Sequence, residues 1–116
     1  MKYNNQLNIN GRVISNTSPT YFIADIAANH DGELERAKSL IWMAKEAGAD
    51  CAKFQHFKAN KIVSNVGFSG SFSKVSHQSN WKKSVVEIYD QYHTRREWNL
   101  TLVEECKKAN IDFFGR

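Results

Sequence analysis

A strand, a helix and a second strand follow one another between Tyr21 and Gln55, and that succession leaves few architectures open. Tyr21-Phe22-Ile23-Ala24-Asp25-Ile26 is apolar on both faces up to Asp25, as strands covered on both sides of a parallel sheet are. It runs into Ala27-Ala28-Asn29-His30-Asp31-Gly32, a turn-forming cluster in which Asp31 is placed to cap a helix. From Glu33 to Ala47 the residues Leu34, Ala37, Leu40, Ile41, Ala44 and Ala47 form one apolar stripe. Gly48 stands where a helix C-terminal cap belongs. Cys51-Ala52-Lys53-Phe54-Gln55 then reads as a second strand. Two strands joined through a helix are parallel, because the helix carries the chain back to its starting edge.

The flanks fit the same scheme. Asn10-Gly11 lies between two short alternating segments at residues 7–14 and predicts a hairpin, since both turn positions require positive φ. Asn16 to Thr20, with the only proline, is a polar connector. Residues 64–79 are rich in Ser and Gly without periodicity and read as a long loop. In the helix that follows, Trp81, Val85, Ile88 and Tyr92 share a face. The next helix opens with Thr94-Arg95-Arg96-Glu97, the pattern of a capping box, buries Trp98, Leu102, Cys106 and Ala109, and stops at Asn110. Ile111-Asp112-Phe113-Phe114 is a third strand. Alternating strands and helices make an α/β fold with a parallel sheet.

Composition removes several function classes. A chain of 116 residues holds one compact domain. Its apolar runs are far shorter than a membrane span, and the N-terminus lacks an apolar stretch that could serve as a secretory signal, so cytoplasm is the expected compartment. Cys51 and Cys106 are too few for a disulfide framework and read as small buried hydrophobes. Net charge is +4 and the pI about 9.1. Those values suit an anionic ligand or nucleic acid, but the basic pairs Lys82-Lys83, Arg95-Arg96 and Lys107-Lys108 sit at helical positions and read as solvated faces. No P-loop or dinucleotide fingerprint occurs, no nucleophile elbow occurs, and His30, His56, His77 and His93 lack metal-ligand spacing.

Parallel α/β sheets place their sites at the carboxyl ends of the strands. Asp25 stands there on the first strand of the alternation, and Lys53 and Gln55 stand there on the second. Cys51, Lys53 and Gln55 share one strand face and Ala52 and Phe54 the other. An ammonium in an apolar strand is costly without an anion, so Lys53 either pairs with Asp25 or meets an anionic ligand. Asn29, His30 and Asp31 make either a substrate-binding loop or an ordinary turn with helix-cap chemistry.

Two stretches carry a resemblance. Ile23-Ala24-Asp25-Ile26-Ala27-Ala28-Asn29-His30-Asp31-Gly32 resembles the motif I-A-E-I-G-x-N-H-x-G, and Ala47-Gly48-Ala49-Asp50-Cys51-Ala52-Lys53-Phe54-Gln55 resembles A-G-A-D-x-x-K-F-Q. Both belong to the N-acetylneuraminate (sialic acid) synthases and their relatives for legionaminic and other nonulosonic acids. The resemblance implies a partial (β/α)8 TIM barrel: a hairpin and connector at residues 1–20 that plugs the N-terminal mouth, and the first part of the barrel at residues 21–116, ending after its third strand. It implies a cytoplasmic, homodimeric parent enzyme that condenses phosphoenolpyruvate with N-acetylmannosamine or a related amino sugar and releases phosphate. A divalent metal, Mn2+ or Mg2+, would polarise the sugar aldehyde, with its ligands outside this chain. By position, Lys53 would bind the anionic groups of phosphoenolpyruvate and Gln55 and Asp25 would face the sugar. Asn29 and His30 would shape the loop, and Asn80 would match a sugar-contacting Asn.

Departures from the family pattern are Asp25 for Glu, Ala27 for Gly, His56 for Thr, Val86 for an aromatic residue, and Gly115-Arg116 where Ser-Thr-Pro-Phe continues. A chain holding so few barrel strands leaves edges unpaired and apolar faces wet, and is expected to be marginally stable or aggregation-prone, and inactive, alone. The alternatives are a catalytically silent βαβ interaction module, another phosphoenolpyruvate-dependent aldol-type synthase, or a basic nucleic-acid binder.

Overall fold

The computed structural model describes residues 3–57, 61, 83 and 85–116. The loop read at 64–79, Trp81 and Asn80 lie outside the described residues. The chain opens with an antiparallel hairpin of β1 (Gln6–Ile9) and β2 (Arg12–Ser15), in which Ile9 pairs with Arg12. Asn10 and Gly11 have φ of 52° and 85°, the left-handed pair that a two-residue turn matched to strand twist demands. The Asn8 side chain accepts the Gly11 N–H at 2.8 Å and closes the turn.

A three-stranded parallel sheet follows, in the order β3 (Ile23–Ala27), β4 (Cys51–Phe54), β5 (Asp112–Gly115). Helix α1 (Leu34–Glu46) joins β3 to β4. Helix α2 (Val85–Tyr92), a 3-10 turn (Arg96–Trp98) and helix α3 (Asn99–Ala109) precede β5. The apolar stripe of α1 delivers Ala37, Ile41 and Ala44 to the core, where they meet Leu102, Cys106 and Ala109 from α3 and Ile26, Ala52 and Phe54 from the sheet. Fully buried side chains such as Phe54 and Ile41 each contribute about 1.5–3 kcal/mol by leaving water. Strand alternation sends Ile23, Asp25, Lys53 and Phe114 to the other face. There Cys51 is buried but Ile23 and Phe114 are 54% and 47% exposed, so, against the expectation of strands covered on both sides, most of this face is open among the described residues.

The hairpin is tied to the amino ends of the strands. Asp112, the first residue of β5, accepts from Asn10 Nδ2 at 2.8 Å and from the Tyr21 hydroxyl at 2.6 Å. Asp50, just before β4, accepts the Phe22 N–H at 2.8 Å and is bonded by the Arg12 guanidinium. The Phe22 N–H and then Arg12 hold the Asp50 carboxyl below its usual range, because both bonds favour the ionised form.

Three local expectations are corrected. Asp31 does not cap α1: it takes a left-handed φ of 54° and pairs with Arg36, while Glu33 enters the helix with no side-chain cap bond. Thr94 forms no capping box; the chain makes a 3-10 turn at 96–98 before α3, and the Thr94 hydroxyl donates elsewhere. The third strand lies one residue later than read, leaving Ile111 in the core. Asn110 does end α3, at φ 54°. Among the described residues no helix is long and apolar enough to cross a membrane.

Candidate active site

The parallel register puts Asp25 directly beside Lys53. The Lys53 Nζ lies 3.4 Å from Asp25 Oδ2, on the sheet face away from the helices. Their side chains are 30% and 60% exposed. An ion pair that open contributes about 0–1 kcal/mol, so Asp25 orients the ammonium without committing it. With Gln55, His56, Phe57 and Arg116 the pair lines a cavity of about 390 Å³, within the size range of small-ligand sites.

Strand alternation and a ladder that is regular through Asp25 put the carboxylate on the lysine's face, and the backbone departs from regularity just beyond it. The β3–β4 ladder slips between Asp25 and Ala27. Ile26 is buried toward the helices, and Ala27 takes a φ of 51°. A bulge of this kind bends the strand beyond Asp25 and ends its regular pairing. Beyond the bulge Gln55 is gripped at both backbone groups: its N–H donates to Ala27 O at 3.2 Å, and its carbonyl accepts the Thr94 N–H at 3.1 Å.

The remaining residues expected at the site are placed differently. Asn29 donates its amide to Ile26 O at 3.0 Å and borders a second cavity of about 380 Å³ with Asp31, Gln55 and Tyr92. His30 points inward and lines neither cavity. Its ring is fully buried, edge-on to Trp98 at 5.2 Å. Its Nδ1 accepts the Gly32 N–H at 3.0 Å and its Nε2 lies 2.8 Å from Thr94 Oγ1, so both nitrogens are spent on protein and the ring presents no atom to a substrate. Burial lowers its pKa, because desolvation disfavours the imidazolium. Asn80 lies outside the described residues. Among those residues no group of three His, Cys, Asp or Glu side chains could hold a metal ion; the divalent cation implied by the resemblance has no ligand set there.

Two residues line the site and one stands behind it where none was expected. Arg116 follows β5, and its N–H donates to Phe54 O at 3.1 Å. Alternation from Phe114, which pairs with Lys53, was the available signal. His56 packs on the β5 backbone so closely that a Cβ on Gly115 would come within 2.9 Å of its ring, and burial lowers its pKa. Thr94 carried a signal that pointed to a helix cap instead.

The model of the NeuB family matches residues 40–115. The chain belongs to the NeuB family. An N,N'-diacetyllegionaminic acid synthase of Legionella pneumophila is 43% identical over 108 residues, which cover 92% of this NeuB-family chain and 30% of that protein. An N-acetylneuraminate-9-phosphate synthase of Homo sapiens is 38% identical over 86 residues, 71% of this chain and 24% of that one. The crystal structure of the spore coat polysaccharide biosynthesis protein SpsE from Bacillus subtilis superposes with a TM-score of 0.65 at 28% identity, covering 95% of this chain and 27% of that one. A sialic acid synthetase from Leptospira borgpetersenii, crystallised with citrate, shares the fold with a TM-score of 0.72 at 23% identity, over 95% and 33% of the two chains. The chain thus spans about a quarter to a third of the length of these relatives. The NeuB-family match takes in Lys53, Gln55 and all of β4, α3 and β5, and begins after Asp25.

Proposed function

We propose that this chain supplies the first strands of a nonulosonic acid synthase, in whose active site Lys53 and Arg116 receive phosphoenolpyruvate, Asp25 balances the lysine, and Gln55 faces the sugar. The observation that carries the reading is the Asp25–Lys53 pair, in register at the carboxyl ends of two parallel strands and facing away from the helices. Lys53 offers a compact charge to an anionic oxygen. Arg116, in the same cavity, offers a planar fork suited to phosphate or carboxylate, while Asp25 offsets the lysine. Gln55 presents an amide to the hydroxyl and carbonyl groups of the sugar.

The reaction is the condensation of phosphoenolpyruvate with an N-acetylated amino sugar. Carbon 3 of phosphoenolpyruvate forms a bond to the sugar aldehyde carbon, whose oxygen takes up a proton. Water adds at carbon 2, and the carbon–oxygen bond to phosphate breaks, leaving a 2-keto acid and inorganic phosphate. This chain's residues hold the anionic reactant in place; its side of the barrel positions.

The open face bearing Ile23 and Phe114, and a sheet with β3 and β5 each paired on one side only among the described residues, support the reading that residues 21–116 begin a (β/α)8 barrel behind the hairpin of residues 1–20. Typical barrels take about 250 residues, so residues 1–116 by themselves would be inactive. The test is an assay of the protein at its natural length with phosphoenolpyruvate and N-acetylated amino sugars. Equal amounts of phosphate and keto sugar acid support the proposal. Phosphate release independent of any sugar, or none with every sugar, contradicts it.

A further inference from the structure

We propose that Thr94, backed by His30, is a positioning residue that holds the carboxyl ends of β3 and β4 in the register the site requires; the inference rests on the site reading given above. Thr94 is fully buried and every polar group it turns inward is used. Its N–H donates to Gln55 O at 3.1 Å, and its hydroxyl donates to Ala27 O at 3.2 Å. The same hydroxyl accepts from His30. Because His30 Nδ1 accepts the Gly32 N–H, it carries no proton, and the ring proton sits on Nε2, 2.8 Å from Thr94 Oγ1.

This chain of bonds grips the weakest part of the site. The β4 ladder ends at Phe54, so the Gln55 carbonyl has run out of strand partners, and Thr94 supplies one. Ala27 sits after the bulge at a left-handed φ of 51°, and its carbonyl takes both the Gln55 N–H and the Thr94 hydroxyl. One buried residue therefore spans the ends of both strands that carry Asp25, Lys53 and Gln55, its hydroxyl holding the end of β3 and its backbone N–H the end of β4. Removing its hydroxyl leaves the His30 N–H buried without an acceptor, a costly state, and frees the Ala27 peptide to rotate. Asp25 lies two residues upstream of that peptide, and Gln55 lines both cavities. A displacement there changes how an anion is received, although Thr94 itself lines neither cavity.

The test titrates the protein at its natural length with phosphoenolpyruvate by calorimetry, well below the melting temperature of each variant. Thr94→Val is expected to weaken binding on the order of tenfold to a hundredfold, as misplacement of binding groups does, and Thr94→Ser to restore it to within about twofold. In Thr94→Ser the His30 ring should keep its Nε2-protonated tautomer by nitrogen NMR. If Thr94→Val does not fold, Thr94→Cys, which keeps the bulk and a weak donor, is expected to show the same loss. A folded Val or Cys variant that binds like the parent overturns the positioning role, as does failure of Ser to restore binding. Lys53→Ala separates the two ideas. If it weakens binding while Thr94→Val does not, the clasp alone is wrong; if neither matters, the site reading falls and the clasp falls with it.

Discussion

Ala27→Gly should make the protein more stable. Ala27 is an alanine at φ 51°, where the Cβ crowds the following carbonyl and costs about 1–2 kcal/mol. Glycine carries no such cost, but it widens the unfolded ensemble and returns about 0.4–1 kcal/mol of the gain. The Ala27 methyl borders a cavity rather than filling the core, so little packing is lost with it. The expected net is about 0.5–1 kcal/mol, a rise in melting temperature of about 1–4 °C for a barrel-sized domain, measured in the protein at its natural length. Urea denaturation reads it as a higher midpoint at unchanged slope. Ala27→Val, β-branched in the same conformation, should move the midpoint the other way. A lower midpoint for glycine, or no penalty for valine, would show that the bulge is not held in the left-handed region and would remove the account of how β3 ends beside Gln55.

Two further outcomes follow from burial. His30 and His56 have pKa values lowered mainly by desolvation, so the unfolded chain binds more protons as pH falls, and stability drops with it. Their contribution is fully present above the ordinary histidine value of 6.5 and is lost below it. Melting temperature should fall between about pH 7.5 and about pH 5.5, and a flat profile across that window would refute the buried neutral tautomers. Cys51 and Cys106 are both buried. Burial raises the Cys51 pKa and pushes that of Cys106 to about 12; since the thiolate is the reactive form, the native protein should resist thiol reagents until denaturant is added. Rapid modification of both in the folded state would contradict this packing.

The parallel sheet was legible because its signals are local. An unbroken apolar strand, one amphipathic stripe ending in Gly48, and the Asn10-Gly11 turn each determine their own geometry, and the backbone follows all three, although the first strand begins at Ile23 and that residue is 54% exposed rather than covered on both sides. The Asp25–Lys53 pairing was legible as one of two alternatives, because alternation gives the face but not the register. What sequence could not show is the bulge after Asp25, since nothing in Ile26-Ala27 announces a left-handed alanine. Thr94 misled for a physical reason: the spacing to Glu97 is that of a capping box, but the hydroxyl finds partners in Ala27 and His30, far away in sequence. His30 misled likewise, a polar residue in a loop whose ring turns into the core. Arg116 needed the β4–β5 register before its place beside Lys53 could be seen.

The most direct measurement is steady-state kinetics of Lys53→Ala in the protein at its natural length, varying phosphoenolpyruvate and the amino sugar in turn. Loss of one charge-assisted contact to an anion predicts a phosphoenolpyruvate KM raised on the order of tenfold to a hundredfold, with the sugar KM changed much less. A variant whose phosphoenolpyruvate KM and kcat stay within about twofold of the parent would mean that the lysine beside Asp25 does not receive the anion.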